Sequence, residues 1–190
     1  MSVTQRKKSR LSRREWLACA MDVLSKEGGA RLNISPLCQK LGVTKGSFYA
    51  HFENQADFVA QLIGYWDEAF TQSVINKIDE LKDQPANERL LALMRLLHNT
   101  QSAGYDSAFR AWSAQDLTVA KGVEMVDRRR FEYIRAIFRD MGFSGAQLDV
   151  RTRLFVVYHS SDLGMRLPPS DLDGDEEIEL RHSVLTNPGQ

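Results

Sequence analysis

The sequence predicts an all-α protein of about nine helices. Apolar residues recur at helical spacing along most of the 190 residues. No segment keeps the alternation of apolar and polar residues that marks a strand. Glycine, proline and capping residues divide the periodic stretches into separate helices. The composition fits this class, because 43% apolar and 26% charged residues are ordinary values for a globular protein.

The first helix is predicted to begin near Ser12 and to end near Gly28. Ser12 and Glu15 form an S-x-x-E capping box, which satisfies free backbone donors at a helix start. The apolar residues that follow fall on one stripe of a helix. Gly28 and Gly29 interrupt this pattern, so the helix is expected to end there.

Two short helices follow within about residues 33–52. Ser35 is a suitable N-cap and Pro36 suits the first helical position, so a helix is predicted to begin there. Gly42 ends it, and Thr44 caps a third helix that runs to about His51. Two short helices joined by a tight turn have the length of a helix-turn-helix.

The remaining helices are longer. Asn54 opens a fourth helix, predicted over residues 55–82, which links the N-terminal segment to the rest of the chain. Pro85 breaks the chain before a fifth helix, and Gly104 precedes a segment that contains two large aromatic residues. Three further helices are predicted near residues 118–141, 146–166 and 173–185.

Charge divides the chain into two predicted domains. Residues 1–55 carry ten Lys/Arg and four Asp/Glu, a net +6, whereas residues 56–190 carry fifteen and twenty-one, a net −6. A basic domain on an acidic one indicates that the first domain meets a polyanion. The basic arm at residues 6–14 contributes to this charge, and a disordered solubilising tail is the alternative interpretation of it.

The third predicted helix has the side chains that duplex DNA requires. Thr44, Lys45, Ser47 and Tyr49 fall near or on one face, and small or hydroxyl residues allow close approach to base edges. Gly46 is a poor helix residue, which either close approach to DNA or a strained first turn explains. Tyr49 and His51 suit phosphate contacts or, alternatively, an aromatic cluster with Phe52.

The segment LGVTKGSFYAHFENQADF, residues 41–58, resembles the TetR family of bacterial transcriptional regulators. The resemblance is strong over about residues 10–60 and continues only as helix order and length beyond them. It implies a homeodomain-like three-helix head, residues 1–55, and a helical ligand-binding and dimerisation body, residues 56–190. The residues that carry it are Gly42, Thr44, Gly46, Tyr49, His51 and Phe52.

The resemblance also implies roles for individual residues of the head. Base edges would meet Thr44, Lys45, Gly46 and Ser47, and phosphates would meet Ser35, Tyr49 and His51. The chain has Glu53 where the family has a neutral or basic residue and Gln55 where it often has lysine. We therefore expect one phosphate contact to be weaker, and the basic arm to compensate for it.

For the body, the resemblance implies an inducer pocket and a homodimer on a palindromic operator, with repression relieved by a small, partly apolar ligand. His98 and His159 are the candidate polar groups of the pocket. The last two helices are the candidate dimer elements, with Ser160, Ser161 and Gly164 allowing close packing. The candidate pocket residues, for which plain core is the alternative, are Trp66, Phe70, Met94, His98, Phe109, Trp112, Phe155 and Tyr158.

Several other classes of protein fit poorly. No long uninterrupted apolar run predicts a membrane helix, and the polar, basic N-terminus does not resemble a secretory signal. Cys19 and Cys38 form no metal-binding pattern and suit a reducing cytoplasm. No catalytic motif is recognised, so neither an enzyme nor a cofactor is expected. A helical adaptor that binds RNA or protein without ligand gating remains the alternative function.

Overall fold

The structure is a computed structural model that describes residues 11–100, 103–161 and 171–187. Within these ranges the chain forms nine helices and no strand, in agreement with the predicted all-α class. The fourth helix, α4, has three consecutive segments, Gln55–Asp67, Glu68–Gln72 and Ser73–Asp79. The others are α1 Arg13–Glu27, α2 Ile34–Leu41, α3 Lys45–Tyr49, α5 Ala86–His98, α6 Ala103–Ser113, α7 Leu117–Asp140, α8 Gly145–Ser161 and α9 Gly174–Thr186.

Local capping chemistry fixes several of these boundaries. The Ser12 backbone N–H donates to Glu15 Oε2 at 2.7 Å, and the Glu15 N–H donates to Ser12 Oγ at 3.3 Å, which confirms the predicted capping box. The Ser12 N–H lowers the pKa of Glu15, because it stabilises the carboxylate. Asn54 caps α4 by accepting from the Asp57 N–H at 2.9 Å. Gly42 ends α2 in the left-handed conformation, at φ 64°.

Two predicted caps are wrong in detail. Helix α2 begins at Ile34 with Asn33 at the N-cap position, so Ser35 lies within the first turn. Thr44 does precede α3, but its side chain makes no capping hydrogen bond. Single residues carry these signals, and neighbouring polar residues compete for them, so the boundary moves by one or two positions.

Helix α4 contains a π turn that the sequence did not predict. The segment Glu68–Gln72 has the wider π geometry, and regular helix resumes at Ser73. The helix then ends at Asp79 rather than near residue 82. A π turn inserts one extra residue into the helix and is often found at functional sites.

A first apolar cluster joins the first three helices to the middle of the chain. The Trp16 ring meets the Phe48 ring edge-on at 5.6 Å between centroids, and Phe58 lies 5.5 Å from Phe48. The same cluster continues into α6 through Phe109 and into α7 through Val119. The head is therefore packed directly against the start of the body, and α1 contacts α6.

A second apolar cluster fills the far end of the body. It includes Val74 of α4, Leu90 of α5, Phe138 of α7 and Ile178 of α9. The ion pairs Asp67–Arg129 and Asp106–Arg130 join α7 to α4 and α6. Among the helices that the structure describes, none is long and apolar enough to cross a bilayer.

Candidate nucleic-acid interface and ligand cavity

Helix α3 rests on the aromatic cluster and turns its polar side outward. Phe48 is fully buried, and it anchors the helix from one side. Thr44, Lys45 and Gly46 are exposed, whereas Ser47 is half-buried. The predicted base-edge residues therefore lie together at the molecular surface, on a helix that its own core residue fixes in orientation.

Gly46 is not required by packing inside the chain. An added Cβ would come no closer to a neighbouring side chain than 3.6 Å, from Thr44 Oγ1. The backbone of Gly46 is also not in the left-handed region that favours glycine. Neither packing among the described residues nor a left-handed backbone therefore requires glycine at this position.

Tyr49 and His51 differ in accessibility. The Tyr49 side chain is 57% exposed, and its ring rests edge-on against Phe48 at 5.4 Å. His51 is half-buried against Phe52, and its Nε2 atom is buried without a hydrogen-bond partner among the described residues. Tyr49 is therefore accessible from outside, whereas His51 takes part in the aromatic cluster and does not offer Nε2 to solvent.

The positions that depart from the family pattern have internal partners. Gln55 Nε2 donates to the Leu32 carbonyl at 2.6 Å, which ties α4 to the loop before α2. The Glu53 backbone N–H donates to Asp57 Oδ2 at 2.9 Å, while Glu53 itself is exposed. One N–H of the Gln55 amide is therefore engaged inside the chain. Ser35 is exposed in the first turn of α2.

Two residues of the predicted basic arm lie at the start of α1. Arg13 and Arg14 are exposed in its first turn. Lys26 and Lys40, by contrast, form ion pairs with Asp22. The part of the predicted basic arm at residues 6–10 lies outside the described residues.

A cavity of about 260 Å³ lies in the body, and each of the helices α4 to α9 contributes to its wall. This volume is slightly below the range typical of pockets for drug-sized ligands, about 300–1,000 Å³. The π turn of α4 reaches the cavity through Phe70 and Thr71. Its apolar lining consists of Phe70, Val74, Ile75, Leu93, Leu97, Ile134, Phe155 and Val156.

An ion-pair network closes the side of the cavity that faces the head. Arg130 donates to both Asp106 oxygens, at 2.7 and 3.2 Å, and through Nε to Thr71 Oγ1 at 2.9 Å. Asp106 also accepts from Trp66 Nε1 at 2.7 Å. Because Asp106 is buried, these donors compensate for the loss of its hydration.

The three consecutive arginines of α7 have partners on three different helices. Arg128 pairs with Glu124 at the surface. Arg129 instead pairs with buried Asp67, and Arg130 with buried Asp106. The acidic partners of Arg129 and Arg130 lie on other helices, so residue spacing along α7 could not indicate them.

The predicted pocket residues separate into two groups. Phe70, His98 and Phe155 line the cavity. Tyr158 does not line it and donates a hydrogen bond to Glu177. The other four predicted residues pack into the two apolar clusters and do not line the cavity, which corrects their predicted role. They are Trp66, Met94, Phe109 and Trp112.

Helix α6 connects the cavity to the head. Its Asp106 lines the cavity, while Phe109 stacks on Trp66 with 4.3 Å between ring centroids. At its far end Trp112 covers Gly29, in the turn between α1 and α2, so closely that an added Cβ at Gly29 would overlap the indole ring. Helix α6 therefore contacts both the cavity and the head.

The last two helices expose apolar side chains. On α8, Val150, Leu154 and Val157 recur at helical spacing and are all exposed. On α9, Leu180 and Val184 are exposed one turn apart. Of the predicted small interface residues, Ser160 and Ser161 belong to the last turn of α8, and Gly164 lies outside the described residues.

Sequence reasoning missed six polar residues of the described cavity lining: Thr71, Thr100, Asp106, Arg130, Tyr133 and Arg181. His159, considered there as a polar group, does line it. Arg130 carries the only available signal, because a charged residue inside an amphipathic pattern indicates a buried pair. Nothing in the local sequence of Arg181 distinguishes it from an ordinary surface arginine.

An all-helical chain with an exposed helix-turn-helix is the architecture of a DNA-binding regulator. Residues 17–62 match the sequence model described as bacterial regulatory proteins, tetR family. The matched segment, which contains the helix-turn-helix, is similar to that family.

Solved structures share the fold over nearly the whole chain. A TetR transcriptional regulator from Legionella pneumophila is 14% identical, with a TM-score of 0.68 and 97% of each chain covered. FadR from Bacillus subtilis, solved with stearoyl-CoA, is 14% identical, with a TM-score of 0.69 over 94% of this chain and 100% of FadR. AibR, solved with isovaleryl coenzyme A and operator DNA, is 17% identical, with a TM-score of 0.69 over 93% and 99%. No curated protein sequence matches significantly.

Proposed function

We propose that the protein is a homodimeric transcriptional repressor that binds a palindromic operator and releases it when a small molecule occupies the cavity. The single observation that carries the proposal is the exposed polar face of α3, supported from behind by a fully buried aromatic cluster. A rigid helix of this kind can place Lys45 and Ser47 at base edges while Tyr49 meets a phosphate.

Dimerisation follows from the size of the reading element. Helix α3 has five residues, and one such helix contacts few base pairs. Two heads one helical turn of DNA apart double these contacts and match a twofold operator. The exposed apolar residues of α8 and α9 support a twofold interface at the opposite end of the chain from the head.

Ligand control is supported by the path through α6. Asp106 lines the cavity and Trp112 contacts the head, so the two ends of one helix meet the two sites. A ligand shifts the balance between DNA-binding and released conformations only by its difference in affinity for them. Ligand control is also supported by two structures of similar fold, FadR with stearoyl-CoA and AibR with isovaleryl coenzyme A and operator DNA.

The test begins with selection of DNA fragments from a random duplex library by the purified protein. We expect enrichment of one inverted repeat, whose affinity falls steeply with added salt. An adaptor or RNA-binding module would enrich no duplex sequence. Compounds that raise the melting temperature of the protein are then added to the complex, and we expect them to release the operator. Stabilising compounds that leave DNA affinity unchanged would contradict ligand control.

A further inference from the structure

The polar groups of the cavity are unevenly satisfied. Arg130, Asp106 and Thr71 bond to one another. Tyr133 donates to Asp79 at 2.8 Å, and Thr100 donates to the Leu96 carbonyl at 2.6 Å. These side chains have little remaining capacity for a ligand, so recognition falls to the other polar residues of the lining.

Those residues are His98, His159 and Arg181, which come from α5, α8 and α9. His159 is packed against Phe155, 4.5 Å between ring centroids, and its Nε2 atom has no hydrogen-bond partner in the part of the chain that the structure describes. The same holds for Arg181 Nε. Buried polar atoms without partners are rare, and a missing ligand is one physical reason for them.

The charge of this end of the cavity is positive. Arg181 lies over the Tyr158 ring at 4.2 Å from its centroid, and its one carboxylate neighbour among the described residues is Glu177, at 3.8 Å from Nη1. Glu177 already accepts a hydrogen bond from Tyr158. Among the described lining residues, Asp106 is the only carboxylate, and Arg130 engages it. Two arginines and one aspartate leave an excess of one positive charge in the lining.

We propose that the cavity binds a small organic acid, whose carboxylate is held by Arg181 and His159 and whose apolar body lies against Phe70, Val74 and Ile134. This inference rests on the proposed function, since it names the class of ligand that would control the repressor. A guanidinium suits a carboxylate because it offers parallel donors in a fixed plane. The apolar wall then selects a hydrocarbon body over a sugar or a nucleotide.

The protonation of His159 agrees with an anionic ligand. Burial, together with the charges of Arg181 and His98, lowers the pKa of His159 to about 4. A bound carboxylate beside the ring would raise this pKa again. Binding at weakly acidic pH is therefore expected to take up a proton, and calorimetry in buffers of different ionisation heats measures this uptake.

Three probes of equal chain length separate charge from apolar burial: octanoate, octanamide and octylamine. We expect isothermal titration of the full chain to give octanoate the highest affinity, with octanamide about tenfold weaker or more, because a charge-assisted hydrogen bond is lost. Octylamine is expected to bind least. Equal or tighter binding of octanamide or octylamine overturns the proposal, as does the absence of octanoate binding.

A pair of variants locates the charge. Arg181→Met keeps the length of the side chain and is expected to weaken octanoate about tenfold or more while changing octanamide little. Arg139→Met, an exposed arginine outside the cavity lining, is the matched control and should change neither. An equal loss for both probes in Arg181→Met would mean a packing role only. The comparison of probes on the unaltered protein stands even where Arg181→Met fails to fold.

The outcome is separable from that of the proposed function. Octanoate binding without any change in operator affinity would support the ligand class and contradict control of DNA binding by the cavity. Release of the operator only by uncharged or cationic compounds would support ligand control of DNA binding and contradict the proposed ligand class.

Discussion

Gly46 occupies the second position of α3, where alanine would fit the chain. We predict that Gly46→Ala leaves the fold intact and raises the free energy of unfolding by about 0.5–1 kcal/mol, because alanine favours a helix. Its affinity for the selected operator should nevertheless fall, since the added methyl group stands between the helix and the base edges. Chemical denaturation and fluorescence anisotropy measure the two effects.

Gly64→Ala is the matched control for this substitution. Gly64 is exposed on α4, and an added Cβ there would meet nothing within 4 Å. It should gain similar stability with no loss of DNA affinity. Unchanged operator affinity in Gly46→Ala would remove Gly46 from the interface.

His159 makes the stability of the body depend on pH. Its pKa is about 4 in the folded protein against an ordinary value of 6.5, so the unfolded chain binds the proton first as pH falls. The free energy of unfolding should therefore decrease between about pH 6.5 and pH 4, by up to about 3 kcal/mol from this residue. Urea denaturation across this range measures it.

His159→Gln should flatten that part of the pH profile relative to the unaltered protein. His182→Gln is the control, because His182 lies outside the cavity lining and its Nε2 contacts the Asn87 carbonyl at the surface. Identical pH profiles for the unaltered protein and His159→Gln would contradict the assignment.

At the scale of single residues, the sequence pattern predicted those features that depend only on neighbouring residues of the same helix. The exposed face of α3 follows from sequence, because short-range helix geometry decides which side chains Phe48 leaves outside. The positions of the aromatic residues predicted for the pocket did not follow from the sequence in the same way. Trp66 and Phe109 have the composition of ligand-binding residues, yet they stack on each other in the core, and only the packing of two distant helices determines that.

Among the elements, α6 has the most specific contact with the head. We predict that Gly29→Ala destabilises the protein by about 1–3 kcal/mol, because the new methyl group would overlap Trp112 and force the ring or α6 to move. Gly29 is not in a left-handed conformation, so backbone strain does not explain such a loss. Thermal denaturation and operator affinity should change together if this contact couples body and head.

Gly104→Ala, on the same helix, serves as the control. An added Cβ at Gly104 would meet nothing within 4 Å, so neither stability nor DNA affinity should fall. A loss of stability in Gly29→Ala with full, ligand-sensitive DNA binding would exclude this contact as the coupling element.

Element boundaries were predictable where a cap has a partner in its own turn. Ser12 with Glu15 and Asn54 with Asp57 are such pairs. The π turn of α4 was not predictable, since the amino acids of this segment are ones that also occur in regular helix. It lies where Asp67 and Thr71 meet the arginines of α7, and those long-range hydrogen bonds are absent from the local sequence.

The whole molecule has an exposed apolar face at the end opposite the head. We predict that Leu154→Asp converts the dimer into a monomer, because a carboxylate would be buried without a partner at the twofold interface. Light scattering after gel filtration measures the mass. Operator affinity should fall by more than about tenfold, since a single head loses the second half-site.

Leu117→Asp is the control for exposure alone. Leu117 is 73% exposed, more than Leu154 at 56%, but it lies in the first turn of α7 and away from this face. It should leave mass and DNA binding unchanged. A dimer in Leu154→Asp would place the interface elsewhere.

At this largest scale the sequence indicated a basic N-terminal part and an acidic remainder, but it did not indicate the cavity. Clustering of basic residues before residue 56 is visible in composition, and it agrees with the position of the exposed helix. The cavity requires six helices to meet, and its polar residues His98, His159 and Arg181 are far apart in the chain. Contacts of that range depend on tertiary packing, which periodicity does not encode.

The most direct measurement of the central claim compares the DNA sequences selected by the unaltered protein and by Lys45→Ala. The account predicts one inverted repeat for the unaltered chain and, for Lys45→Ala, relaxed preference at one symmetric pair of positions, with a loss of about 1–3 kcal/mol there. Identical selected sequences with identical affinity would show that α3 does not read the bases.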